Sequence, residues 1–212
     1  MWNELTEYNY LLTYGYKNKL YEMNLTFSPE DFPHLAGFQY LKDIVLPRYN
    51  PKKTVSRILD GTIKSEQIQK AVQYEKMIVP RLEALVRIKD TLDNDFELFS
   101  YMPRMYPFYT QIKADYLISR HSNITSFVFI IQANTDSTAK CDYLCCSAFK
   151  QENRNYEANQ RSLALLKKER IHISTNASTI LLDKLSTPNA ETRATPTPAA
   201  PRGNPSNSPR ND

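Results

Sequence analysis

Only three cysteines occur in this chain, and all lie within Cys141-Asp-Tyr-Leu-Cys145-Cys146. With no cysteine elsewhere, a long-range disulfide is excluded, and clustered thiols fit a reducing compartment. The spacing Cys-x-x-x-Cys-Cys could also hold a metal. Zinc, however, asks for a fourth ligand and usually a turn between ligand pairs, whereas the surrounding residues read as a strand. No metal and no cofactor is therefore expected. Long apolar runs are missing too. The longest, Phe127-Val-Phe-Ile-Ile131, is far too short to span a membrane and suits a buried strand. The start, Met-Trp-Asn-Glu-Leu-Thr-Glu-Tyr, is polar and acidic, without a signal-peptide pattern. Together these features lead to the expectation of a cytoplasmic protein with no membrane contact. No serine sits in a Gly-x-Ser-x-Gly elbow, and there is no phosphate-binding Walker motif, dinucleotide fingerprint, zinc-protease helix or kinase signature.

From Ser186 to Asp212 there is no Val, Ile, Leu, Phe, Tyr or Trp, while six of the thirteen prolines lie there. Such a stretch cannot bury enough apolar surface to offset its ordering entropy. The expected organisation is a helical extension over 1–20, an α+β domain over 21–185 and a disordered proline-rich tail over 186–212. The net charge is +4, and the tail holds three arginines against one Glu and one Asp, so about +3 stays with the rest. That permits an anionic partner without demanding one.

Periodicity supplies the elements. Leu5, Tyr8, Leu11, Leu12 and Tyr16 give the first twenty residues a helical pattern. Tyr21-Glu-Met-Asn-Leu-Thr-Phe27 alternates as a strand. Ser28 caps a helix carrying Leu35, Phe38 and Leu41 on one face, with Pro29 in its first turn and Asp31 completing a capping box. Residues 52–92 read as helices broken at Asp60-Gly61, and their alternating charges as a solvated face. Beyond Asp95 the period turns to two, with strands over 96–101, 110–119, 125–132, 139–149 and 163–173 and a polar turn at Asn134–Thr138. Helices first and strands second predict an α+β fold, N-terminal helices packed on a meandering antiparallel sheet of four to five strands.

Several residues could carry chemistry. His34 sits at the edge of the first helix's apolar face, as a packed, hydrogen-bonded residue or as a proton-transfer group. Alternation over 110–119 puts Ile112, Ala114, Tyr116 and Ile118 on one side and Lys113 and Asp115 on the other. The latter two form either an exposed ion pair of little weight or a cation aimed at a phosphate with a carboxylate orienting it. Tyr143, Cys145, Ser147 and Phe149 would share one face, and Ser147 is either satisfied by backbone or bound to a phosphate oxygen. His121 falls in a turn and His172 at a strand end. In Asn153-Arg-Asn-Tyr-Glu-Ala-Asn-Gln160, Tyr156, Asn159 and Gln160 could stack on or read a base and Arg154 meet a phosphate. The alternative is a solvated linker. Lys168, within Lys167-Lys-Glu-Arg170, adds a further cation.

Three stretches occur in a telling order: Phe32-Pro-His-Leu-Ala-Gly-Phe-Gln-Tyr-Leu-Lys-Asp43, Ile112-Lys-Ala-Asp-Tyr-Leu-Ile118, and Cys146-Ser-Ala-Phe with Tyr156-Glu-Ala-Asn-Gln160 and Leu165-Leu-Lys-Lys-Glu-Arg-Ile171. Over residues 20–175 the chain resembles the phage-associated barnase–EndoU–colicin–RelE-like nucleases, the fourth such family. The resemblance implies a barnase- or RelE-like α+β fold and metal-independent, toxin-like RNA cleavage by attack of the 2′-hydroxyl on its own phosphodiester. It marks His34, Lys113, Asp115, Ser147 and Tyr156 as catalytic positions and Gln160 as substrate-binding, to which Asn159, Arg154 and Lys168 are added as further RNA contacts. With histidine so scarce, His34 and Lys113 would carry the acid–base work. The partners it implies are RNA, host tRNA or mRNA, and an immunity protein, antitoxin or host protein. The rival expectation is a catalytically silent module binding RNA or a host protein on the same fold.

Overall fold

The computed structural model describes residues 2–47, 49–121, 125–133 and 142–186. The expected turn at Asn134–Thr138, Cys141 and all but the first residue of the expected tail lie outside them. The described chain is built on eight strands: β1 (Tyr8–Tyr16), β2 (Lys19–Thr26), β3 (Glu97–Ser100), β4 (Tyr116–Arg120), β5 (Ser126–Gln132), β6 (Asp142–Lys150), β7 (Arg161–His172) and β8 (Ser178–Asp183). Seven of them form a ring in the order β1-β2-β6-β5-β4-β3-β7, closed by pairing of β7 with β1, and β8 adds to β7 outside it. The β2–β6 pairing is parallel and the others are antiparallel.

This closed mixed barrel corrects the expectation of helices packed on an open antiparallel sheet of four to five strands. The error began at the first segment. Residues expected to be helical form α1 (Trp2–Leu5) and then β1. The sequence there carries two overlapping patterns. The helical spacing of Leu5, Tyr8 and Leu12 competes with the period-two set Tyr10, Leu12 and Tyr14, and within β1 the second set is buried while Tyr8 is only partly so. Tyrosine favours the pleated, half-buried surface. Lys17 and Asn18 both take positive φ, 47° and 58°, and Tyr16 pairs with Lys19, so a two-residue turn leads straight into β2.

Between β2 and β3 run short helices: α2 (Phe32–Leu35), α3 (Pro51–Leu59), α4 (Ser65–Gln69), α5 (Val79–Leu85) and α6 (Ile88–Asp93). The Ser28–Asp31 capping box is present, with the Asp31 carboxylate accepting from the Ser28 amide at 2.9 Å. The helix it opens is shorter than the apolar spacing predicts, because Gly37 at φ +85° ends it. A π-turn over Tyr74–Ile78 leads directly into α5.

Two apolar clusters hold the molecule. The inner one joins Tyr10, Leu12, Met23, Leu25, Leu98, Ile118, Val128, Ile130, Cys145 and Leu163 from the seven ring strands to Leu35, Phe38, Ile78, Leu85 and Leu92 of the helical region. The outer one, Phe99, Tyr101, Tyr106, Leu117, Phe127, Phe129 and Tyr156, lies on the opposite face of β3, β4 and β5. Residues 102–115 cover that face, with Phe108, Ile112 and Ala114 packed against it. Strand β5 is therefore apolar on both sides. That is why Phe127, Val128, Phe129 and Ile130 form an unbroken buried run.

Candidate functional site

A β-bulge in β6 shapes the surface beside the outer cluster. Phe129 pairs with Ser147 and Ile130 with Cys145, leaving Cys146 without a ladder partner. One extra residue reverses the alternation beyond it. Cys145 and Ala148 both join the inner cluster, while Cys146 and Phe149 pack against the outer one. The expected common face of Tyr143, Cys145, Ser147 and Phe149 is thereby split, and Ser147 and Phe149 line a cleft of about 850 Å³. Burial pushes the Cys146 thiol up to about 11 and the Cys145 thiol well above its usual range. Neither is a thiolate near neutrality. Among the described residues, no three His, Cys, Asp or Glu side chains gather as a metal site.

The cleft draws its lining from four regions. The α2 region gives His34, Gln39 and Tyr40; the π-turn and α5 give Lys76 and Arg81; residues 109–113 give Tyr109 and Lys113; β6 and the loop after it give Ser147, Lys150, Arg154 and Tyr156. Among the described residues five cations thus line it, Lys76, Arg81, Lys113, Lys150 and Arg154, against one carboxylate, Glu152. Lys150 is paired to Glu83 at 2.5 Å, so its charge is largely answered. His34 is exposed on the last turn of α2. Burial pushes the nearby Asp31 carboxyl up, opposed chiefly by its bond from the Ser28 amide.

Of the expected site residues, His34, Lys113, Ser147, Tyr156 and Arg154 meet in this cleft. Lys113 does not stand on a strand, since β4 begins only at Tyr116. It lies exposed in an irregular segment, and its carbonyl oxygen faces the Cys146 sulfur at 3.4 Å. Ile112 and Ala114 pack on the outer cluster but Tyr116 and Ile118 on the inner one, so the expected single face does not exist. Asp115 explains the break. Its amide donates to Ile130 and its carboxylate accepts from the Gln132 amide, both at 2.8 Å, so it starts the β4–β5 ladder and does not line the cleft. Arg154 lays its guanidinium over the Phe108 ring at 4.9 Å and donates to the Tyr109 carbonyl. Tyr156 is buried, its ring within 5.3–5.6 Å of those of Tyr106, Phe108, Phe127, Phe129 and Phe149.

The remaining expectations fall elsewhere. Gln160 clamps the Met102 backbone, accepting from its amide at 2.6 Å and donating to its carbonyl. Asn159 forms the left-handed turn before it, at φ 61°. Both hold the covering segment in place outside the cleft lining. His121 pairs with Glu157 at 2.7 Å, and His172 meets the edge of Tyr8 at 5.1 Å. Lys76 and Arg81 were missed because residues 52–92 alternate charges as a solvated face does, and Lys150 because it stands at the end of a strand with nothing to single it out.

Lys168 is 1 % exposed, with its ammonium 2.5 Å from the Asn94 carbonyl oxygen and 4.7 Å from the Phe96 ring centre. It is a buried lysine outside the cleft lining, and burial lowers its pKa from 10.5 to about 8. The folded state therefore releases this proton first, so stability rises as pH climbs through the window between 8 and 10.5. The gain is on the order of 3 kcal/mol. Urea unfolding at pH 7 and pH 10 should show that rise in the wild type and a flatter dependence in Lys168→Met. Equal slopes in the two proteins would mean that the amine is not desolvated.

Among the described residues no helix is long and apolar enough to cross a membrane. A family model described as "phage-Barnase-EndoU-ColicinE5/D-RelE like nuclease4" matches residues 1–185, which include β1 as well as the later strands. No curated protein and no solved structure matches the chain.

Proposed function

The chain belongs to this family of phage-associated nucleases, and from that premise we propose that it is an endoribonuclease cleaving RNA by 2′-hydroxyl transesterification in the cleft between α2, α5 and β6. The observation that carries the reading is that His34 shares a cleft with Lys113, Arg81 and Arg154, where cations far outnumber carboxylates. A polyanion is drawn to such a surface, and its phosphates give it register. The neutral imidazole of His34 takes the proton of the 2′-hydroxyl. The oxygen so freed forms a bond to phosphorus, and the phosphorus–O5′ bond breaks. Lys113 neutralises the charge growing on the phosphorane oxygens and supplies the proton that the leaving 5′-oxygen needs. The products are a 2′,3′-cyclic phosphate and a 5′-hydroxyl end. Ser147 donates to a phosphate oxygen, and Tyr156 forms the aromatic wall beside it.

Because the nucleophile is the substrate's own hydroxyl, no metal-bound water is required. Cleavage of a mixed RNA pool should continue in excess EDTA and leave 2′,3′-cyclic phosphate ends. Products with 5′-phosphate ends, or loss of activity on chelation, would reject the mechanism. RNA binding without any cleavage would favour the silent binding module. Lys113→Ala should slow cleavage about a hundredfold, the usual cost of removing one group that stabilises the transition state. Its effect on stability should stay within about 0.5 kcal/mol, because the side chain is exposed. An unchanged rate would remove Lys113 from the mechanism.

A further inference from the structure

Arg81, like Arg154, is held by an aromatic ring and a backbone carbonyl, and it alone of the two has a glycine seat and a π-turn beneath it. Its Nη1 donates to the Met77 carbonyl at 2.9 Å, and its guanidinium lies 4.9 Å from the centre of the Tyr40 ring. The π-turn that precedes α5 carries Met77, and such turns favour functional positions. Gly37 completes the seat. A Cβ there would come within 2.9 Å of Arg81 Cδ and 3.2 Å of the Met77 carbonyl oxygen. Only glycine leaves room for the arginine to lie down, and its φ of +85° asks for glycine as well. Among the described residues no carboxylate lies within ion-pairing distance of Arg81, whereas Lys150 and Arg170 each have one. A guanidinium fixed by neutral partners keeps its charge and most of its fork of donors for an incoming anion, and little ordering remains to be done on binding.

We propose that Arg81 is a phosphate-binding residue, seated by Gly37, Tyr40 and the Met77 carbonyl, and that it and Lys113 hold different phosphates of one RNA strand from different walls of the cleft. This deepens the nuclease reading and rests on it for the identity of the polyanion.

The test uses a mixed-sequence 2′-O-methyl RNA oligonucleotide, which lacks the nucleophile and cannot be cleaved. Its binding to the full chain is followed by fluorescence anisotropy across a salt series. Arg81→Met should weaken binding about tenfold and make the slope of log K against log salt shallower by about 0.7, the contribution of one phosphate on a single strand. Arg81→Lys should restore the slope but only part of the affinity, since a point charge replaces the fork. Gly37→Ala should weaken binding when Arg81 is present and add nothing in the Arg81→Met background. If Gly37→Ala fails to fold, the two Arg81 variants decide alone. An unchanged affinity and slope in folded Arg81→Met would overturn the assignment while leaving the nuclease reading intact. Weakened oligonucleotide binding in Arg81→Met, beside a wild type that cleaves no RNA, would do the reverse.

Discussion

Substituting His34 by alanine should lower the RNA cleavage rate by a factor of about 10² to 10⁴, the usual share of a positioned general base. The fold should hardly register the change. His34 is exposed, while its neighbours Pro33 and Leu35 make the buried contacts of α2. Surface substitutions of this kind shift stability by about 0.5 kcal/mol or less. A single-turnover assay on a defined RNA, beside circular dichroism and a urea melt, separates the two effects. Cleavage at the wild-type rate by folded His34→Ala would return this histidine to a surface role. His34→Gln is a useful companion: it keeps hydrogen-bonding capacity but cannot accept and release the proton, so it should be as slow as alanine.

The second large effect concerns folding. Tyr156→Ala should destabilise the protein by about 3–5 kcal/mol, as loss of a fully packed aromatic ring does. The ring stands at the centre of the outer cluster, edge-on to the rings of Tyr106, Phe108 and Phe129. Such edge-to-face pairs add to simple area burial. Its backbone carbonyl also accepts the Tyr106 hydroxyl at 2.6 Å, fastening the covering segment to the loop. Tyr156→Phe divides the packing role from the chemical one. Near-wild-type stability is expected, since the ring stays, and any fall in cleavage then belongs to the hydroxyl. If Tyr156→Ala unfolds at the wild-type urea midpoint, the outer cluster does not hold that face together.

How far these features could be read from the chain depends on the range of the interaction that sets them. Period-two alternation showed β2, β6 and β7, each of which buries one face over at least part of its length, and an unbroken apolar run showed β5. Alternation failed at β1, where helical and strand spacings overlap and one of the two flanking pairings is with β7, at the far end of the domain. A tertiary pairing overrode the local pattern. β8, with its first half exposed, gave no alternation to read. Within the site, His34 and Arg154 could be singled out from their neighbours. The face carrying Ser147 could not, because the bulge at Cys146 follows from register and leaves no mark in composition. Arg81 was invisible for another reason. Its seat is made by Gly37 and Tyr40, some forty residues earlier, and nothing near Arg81 distinguishes it from solvent-facing charges.

Ring closure also dictates an order of assembly. β1 has two neighbours: β2, made directly after it and reached through the Lys17-Asn18 turn, and β7, available only after residue 172 has been made. Until then the hairpin lacks one flank, and the ring strands lack the enclosed core they share. The last pairing also carries the greatest loop-closure entropy, which places refolding in the millisecond-to-second range typical of non-local β topologies. The cleft depends on β6 and the loop that leads into β7. A nascent chain is therefore without a complete cleft until the residues up to Tyr156 have been made, shortly before the closing strand itself.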